Sequence, residues 1–306
     1  MIINNRIPLY YIFGKVKWDM FYILLSSTIL ILINDCIKYS EISFDIPSLP
    51  IQIPAFMGTA ISLVLAFKLN QSYERWWEAR KIWGSITNDS RSLVLQLLNF
   101  TGAKNEERLK ERIVKLANRN IAWCYALGQS LRKLKTTEGL NSYLSTEEIN
   151  EMSKHYNIPL AIIQLNLEEI KELRDNNVIT EFQYIQIDNT YVRLCSLMGQ
   201  SERIKNTVFP KTYRLYLHYF IYIFLFTLFV SLLGFHGILI IAMIFFISLP
   251  FFLLEKTAFL LQDPFENRPT DIPVTSIARN IEINSKQLLG ISDVPEPLKP
   301  DSFFLM

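Results

Sequence analysis

The sequence predicts an all-α membrane protein: four transmembrane helices in two hairpins, continuous with a helical cytosolic part. Three observations carry this. Residues 215–254 hold no Asp, Glu, Lys or Arg, and Gly234-Phe235-His236-Gly237 divides them into two runs, each long enough to cross a bilayer. Two further apolar runs lie near the N-terminus. The chain of 306 residues is 50% hydrophobic yet 20% charged, so a membrane part and a water-facing part share one chain.

Residues 1–17 hold Arg6, Lys15 and Lys17 and lead into a first span at about 18–34, whose apolar core is FYILLSSTILILI. A secretory signal peptide is the competing reading. Asn34-Asp35-Cys36-Ile37-Lys38 lacks the small residues of a cleavage site, so the segment is expected to stay as a span. The linker from Asp35 to Pro50 sets Asp35, Glu41 and Asp45 against Lys38, whereas the second span is followed by Arg75, Arg80 and Lys81, with Lys68 at its end. The positive-inside rule then puts the linker outside and both termini in the cytosol.

The second span, about 54–74, opens the stretch PAFMGTAISLVLAFKLNQSYERWWEARKIWG, with no Gly or Pro between Gly58 and Gly84. One rod should therefore run from bilayer to water. Thr59, Leu63 and Phe67 are four apart and share a face that Asn70 and Glu74 extend. Gly58, Ser62 and Ala66 form a second face, with the small-residue spacing that lets membrane helices approach closely. On spacing alone both stripes fit ordinary helix packing, and the first equally fits a lining surface. Trp76 and Trp77 fit an interfacial aromatic belt.

From Ser85 to about Pro210 the period is helical. Residues 105–135 make a long amphipathic helix, Ser145-Thr-Glu-Glu148 and Thr180-Glu-Phe-Gln183 fit capping boxes, and Asn157 before Pro159 fits a third N-cap. The third and fourth spans are expected at about 215–233 and 237–254. Pro264, Pro269 and Pro273 predict an extended segment, residues 274–289 a helix, and the tail with Phe303, Phe304 and Leu305 an extended stretch against neighbouring protein. Residues 1–306 thus read as one domain, with its cytosolic part at about 75–212 and 255–306.

No constellation for chemistry stands out. His155, His218 and His236 have no ligand at helical spacing, and there is no Gly-rich phosphate loop. Glu147-Glu148 and Glu168-Glu169 are adjacent acids that point to different sides of a helix. No catalytic residue, metal site or cofactor is expected, and the chain is not read as an enzyme. The net charge of +2 gives no field for nucleic acid. Cys36, Cys124 and Cys195 read as packing residues in a reducing compartment.

Three segments resemble one family. AFKLNQSYERWWEARKIWG, with Arg75, Trp76 and Trp77, is similar to the end of the second membrane helix of the bacterial bestrophin-like channels. SERIKNTVFPKTY from Ser201 resembles the lead into their third span. LQDPFENRPTDIPVTSIARNIEIN, with Asp263, Pro264 and Phe265, resembles their Asp-Pro-Phe segment and the helix after it. The resemblance implies a homopentamer in the bacterial inner membrane, in contact with lipid and passing small inorganic ions. In that family the second span lines a hydrophobic neck, which leads to a cytosolic vestibule with a second constriction.

Matched by motif, the neck falls on Thr59, Leu63 and Phe67 and the second constriction on Phe209. Thr59 stands where relatives commonly carry a large apolar residue and would widen and wet that ring; Phe209 stands where many carry a smaller one. Animal members bind calcium in an acidic clasp; Asp263 and Asp271 are kept here, but Arg268 and Pro269 fill the region of the acidic run, so no calcium site of that type is expected. The function expected is conduction of small monovalent ions, leaning to anions and chloride. The alternatives are a monovalent cation channel of the same fold and a non-conducting membrane scaffold or sensor.

Overall fold

The computed structural model describes residues 1, 8–39, 49–102, 107–207, 211–300 and 302–305; Phe209 lies outside them. Among the described residues the regular elements are helices, apart from an isolated bridge at Phe304. They are α1 (Leu9–Tyr39), α2 (Gln52–Phe100), α3 (Glu107–Leu131), α4 (Thr146–Met152), α5 (Ile158–Asp175), α6 (Glu181–Asn206), α7 (Lys211–Ser231), α8 (Gly237–Gln262) and α9 (Val274–Leu288), with a short 3-10 helix at Leu140–Ser142. Four of them, α1, α2, α7 and α8, are long and apolar enough to cross a membrane.

The chain divides into two compact units. One comprises Asn4–Arg75 and Val208–Gln262, the other Met1–Ile3, Trp76–Thr207 and Asp263–Met306. In the first, α8 packs against both α1 and α7. Its core includes Met20, Ile23, Ile61, Leu65, Ile221, Phe224 and Phe252. Two glycines allow close approach. A Cβ on Gly58 would stand 3.0 Å from the Phe224 ring, and one on Gly237 would stand 3.0 Å from Ile31. The outer faces stay apolar, with Trp18, Phe21, Leu32, Phe226 and Phe246 all exposed, as suits a helix bundle in lipid rather than water.

In the second unit α3 is central and packs on α5, α6 and α9. Its buried residues recur at helical spacing, among them Leu109, Ile113, Leu116, Trp123 and Leu127. The capping signals fall where the sequence puts them. Ser145 and Glu148 form a reciprocal box at α4, Thr180 and Gln183 another at α6, and Asn157 accepts from the Leu160 N–H at α5. Arg119, only 5% exposed, is held by Glu148 and by the Leu165 carbonyl (3.1 Å), and is therefore a satisfied buried charge.

Past Gly84 α2 runs on to Phe100, because Ile86, Leu93, Val94 and Leu97 are fully buried and packing overrides the cap-forming residues of Ser85–Ser92. It ends before Gly102, whose φ of 61° is left-handed. The expectation for the cysteines needs correction, since they do not share one role. Cys124 is buried, Cys195 is partly buried, and Cys36 is exposed, so packing within the chain accounts for Cys124 but not for Cys36. In the tail, Phe303 is buried at 7% exposure and stacks edge-on with Phe304.

Candidate functional site

The helical period divides α2 sharply. Gly58, Ile61, Leu65, Lys68 and Ser72 are buried, whereas Thr59, Leu63, Phe67, Asn70 and Glu74 are exposed along one stripe. Leu63 is 58% and Phe67 62% exposed, so neither is a packing residue within the chain. Thr59 Oγ1 donates to the Ala55 carbonyl (2.9 Å), which occupies its proton and leaves the hydroxyl oxygen outward as an acceptor. One turn beyond Phe67, Asn70 Nδ2 donates to Glu74 Oε1 (2.9 Å), so the stripe changes from apolar to polar along its length.

The small-residue stripe splits. Gly58 is packed against Phe224, but Ser62 and Ala66 are exposed. A flat strip of small side chains thus adjoins the Leu63 and Phe67 stripe. Lys68 is the single formally charged residue between Pro54 and Tyr73, and it turns inward: its Nζ donates to Gln262 Oε1 of α8 (2.7 Å) and lies over the Tyr213 ring of α7. This tie fixes the rotation of α2 and, with it, the outward aim of Phe67.

The motif residues build a different feature. Trp76 Nε1 donates to the Thr270 carbonyl (3.1 Å), and Trp76 and Trp77 stack at 6.4 Å. Pro264 and Phe265 are buried, and Asp263 and Arg75 are partly buried. Residues 263–273 are a compact turn rather than an extended segment, because Asp271 Oδ2 accepts the N–H groups of Glu266 (2.6 Å) and Arg268 (3.1 Å). Burial pushes the Asp271 carboxyl up, while those two N–H groups pull it down. Lys205 closes the turn from α6, donating to the Phe265 carbonyl (3.2 Å) and to Glu266 (2.7 Å), whose carboxyl it lowers. Asp271, one of the two acids kept in that region, is therefore engaged as a turn cap.

Thr59, Leu63 and Phe67 come together on one helix face, and Trp76 joins the 263–273 turn. Two polar clusters escaped the sequence reading, one at His218 and one at Glu282. His218 meets its carboxylates on two other helices, and at Glu282 the remote member is Tyr125 of α3; Arg279 and Lys286 stand three and four residues from Glu282 on α9, a local spacing that could have announced part of that cluster.

Comparison with known proteins places these features in context. The family model described as "Bacterial/Fungal Bestrophin protein" matches residues 10–287. The voltage-dependent anion channel-forming protein YneE of Escherichia coli (strain K12) is 28% identical over 251 residues, 82% of this chain and 80% of its own length. The Salmonella typhi protein of the same name is 29% identical over 248 residues, 81% and 79% of the two chains. Among solved structures, a bacterial bestrophin homologue from Klebsiella pneumoniae superposes with a TM-score of 0.81 at 27% identity, covering 90% of this chain and 99% of the other.

Proposed function

Because the chain belongs to the bacterial and fungal bestrophin family, we propose that it is a multi-pass inner-membrane channel for small anions, chloride among them. It works as a homopentamer in which α2 of each copy lines the path. The observation that carries this reading is the exposed stripe of Leu63 and Phe67 on a helix whose opposite face is packed: five such stripes around an axis make an apolar constriction that gates by wetting and dewetting. Four spans are too few to enclose a wide aqueous path, so conduction calls for several copies. The relatives named as anion channels support the sign of the ion, and the partly positive edge of the Phe67 rings fits it. The function proposed is transport without catalysis, and residues 1–306 act as one functional domain in it.

Arg75, Trp76 and Trp77, together with Asp263, Pro264 and Phe265, serve as supports rather than lining in this reading. Phe209 is proposed as a second constriction on motif alone. A cation channel of the same fold is the second reading, and it is favoured by Glu74, exposed on the lining stripe. Reconstituted protein tests both: chloride flux into liposomes, a reversal potential set by chloride, and a native mass of five copies are expected. A cation-set potential selects the second reading, and a monomer without flux makes the chain a scaffold.

Flux is expected to be the same with and without chelator, since Asp271 is occupied in its turn and Arg268 stands in the region of the acidic run. A flux that collapses on chelation and returns at calcium in the ~10⁻⁷–10⁻⁵ M range of sensor sites would overturn this.

Both termini are proposed to be cytosolic. With Cys36 replaced by Ser, an impermeant thiol reagent added to spheroplasts should label His236→Cys, at the exposed turn between α7 and α8, and miss Ser302→Cys. The reverse pattern contradicts the topology.

A further inference from the structure

Between its packed face and its exposed stripe, the membrane part of α2 has two flanks of different character. At about 100° per residue, with Leu63 as origin, Ala66, Ala55 and Ser62 fall on one side at about 60°, 80° and 100°, and Ala60 and Val64 on the other at about 60° and 100°. All five are exposed. The first flank is a strip of small residues, and Ser62 Oγ donates to the Gly58 carbonyl (2.8 Å), so it presents no unpaired donor. The second flank opens onto an apolar groove of about 470 Å³ between α2 and α7, walled by Phe56, Ala60 and Val64 and by Tyr213, Tyr216 and Phe220. Phe56 is 76%, Tyr216 60% and Phe220 53% exposed, so nothing in the chain itself fills the groove.

A ring fixes where its neighbours lie. Around a five-fold axis, with the Leu63 stripe turned inward, the two adjoining α2 helices stand about 54° to either side of the inward direction. Those directions fall on Ala66 on one flank and on Ala60 on the other. In lipid, apolar surface alone does not draw helices together, whereas small side chains let their backbones approach. A closed ring also makes each copy show one flank to one neighbour and the other flank to the next, so the contact is heterologous. We propose that the groove beside Ala60 receives the Ser62 and Ala66 strip of a second copy of this chain, with the Tyr216 and Phe220 rings covering the incoming helix. This interface rests on the proposed ring lined by α2, and adds to it which flank meets which. An acyl chain is the competing occupant, and it leaves the matched small residues on the opposite flank without a role.

Disulfide formation in the full chain tests it, with the exposed Cys36 replaced by Ser. The α2 helices of a ring run parallel, so Ser62→Cys with Ala60→Cys puts one thiol on each flank at levels only about 3 Å apart. On one helix the same two thiols point about 160° apart and cannot join. Oxidation should convert roughly half of this double variant into a ladder that ends at five copies on a denaturing gel. Ser62→Cys with Ala66→Cys, both on one flank, should give no ladder. Native mass is read alongside. Five copies without a ladder from the opposite-flank pair, or with a ladder from the same-flank pair, overturns the interface and leaves the ring standing, whereas a monomer overturns both. Ala66→Phe is an independent variant, since it thickens the strip that must enter the groove, and it should cut the yield of the five-copy form at least tenfold. An unchanged yield, as expected if an acyl chain fills the groove, overturns the proposal.

Discussion

Replacing Leu63 and Phe67 together by Ala should raise chloride flux several-fold while the assembly keeps its mass. Both side chains are more than half exposed in the protomer, so their truncation removes little packing within the chain, and its main effect is to widen and wet the constriction they would form. If they are instead buried between copies, the same change deletes packed side chains at roughly 2–5 kcal/mol each, and the assembly falls apart without a gain in flux. One double variant, scored by mass in detergent and by flux, thus separates the two readings. Thr59→Ile on the same stripe is the complementary variant: it adds an apolar ring and should lower flux, whereas a lipid-facing position would leave flux unchanged.

The largest loss of stability is expected at Glu282. This residue of α9 is 2% exposed and gathers the Tyr125 hydroxyl (2.9 Å), Lys286 Nζ (2.9 Å) and Arg279 (3.5 Å) around its carboxylate. Glu282→Ala leaves two cations and a phenol without their common acceptor and should cost roughly 3–5 kcal/mol, seen as a thermal midpoint lowered by about 6–20 °C. Tyr125→Phe removes one hydrogen bond and should cost only about 1 kcal/mol. A Glu282→Ala midpoint within a degree of wild type would mean that the cluster holds nothing together. The same cluster gives an alkaline limit. Burial, aided by Glu282, pushes the Tyr143 phenol up to about 12, so the unfolded chain releases that proton first, and this share of stability is lost as pH climbs from about 10 through 12.

The sequence made most of the helices legible, and the reason is local. Ser145, Asn157 and Thr180 cap helices through contacts three residues long, and the 215–254 run needs no tertiary information to read as two spans. The stripe of Thr59, Leu63 and Phe67 was visible for the same reason, as a period of four on one helix. What stayed hidden depends on residues far apart in the chain. Lys68 meets Gln262 across 194 positions, Tyr125 meets Glu282 across 157, and His218 finds its carboxylates on two other helices.

The order of residues in the unit built on α3 has a consequence in time. Apart from Met1–Ile3, its earlier stretch ends at Thr207 and its later one begins only at Asp263, yet α3 packs on α9 and the Glu282 cluster joins them. A ribosome that has finished Leu131 must add residues 132–273, which are 142, before α9 begins to be made. At ~5–20 residues per second this takes about 7–30 s. During that interval Tyr125 has no acceptor in α9, and the face of α3 that α9 will cover stays bare. Both later membrane hairpin helices are translated within it. Chains cut off before residue 274 should therefore be far more sensitive to protease across α3 than the released full chain, and the making of α9 sets the earliest moment at which this core can close.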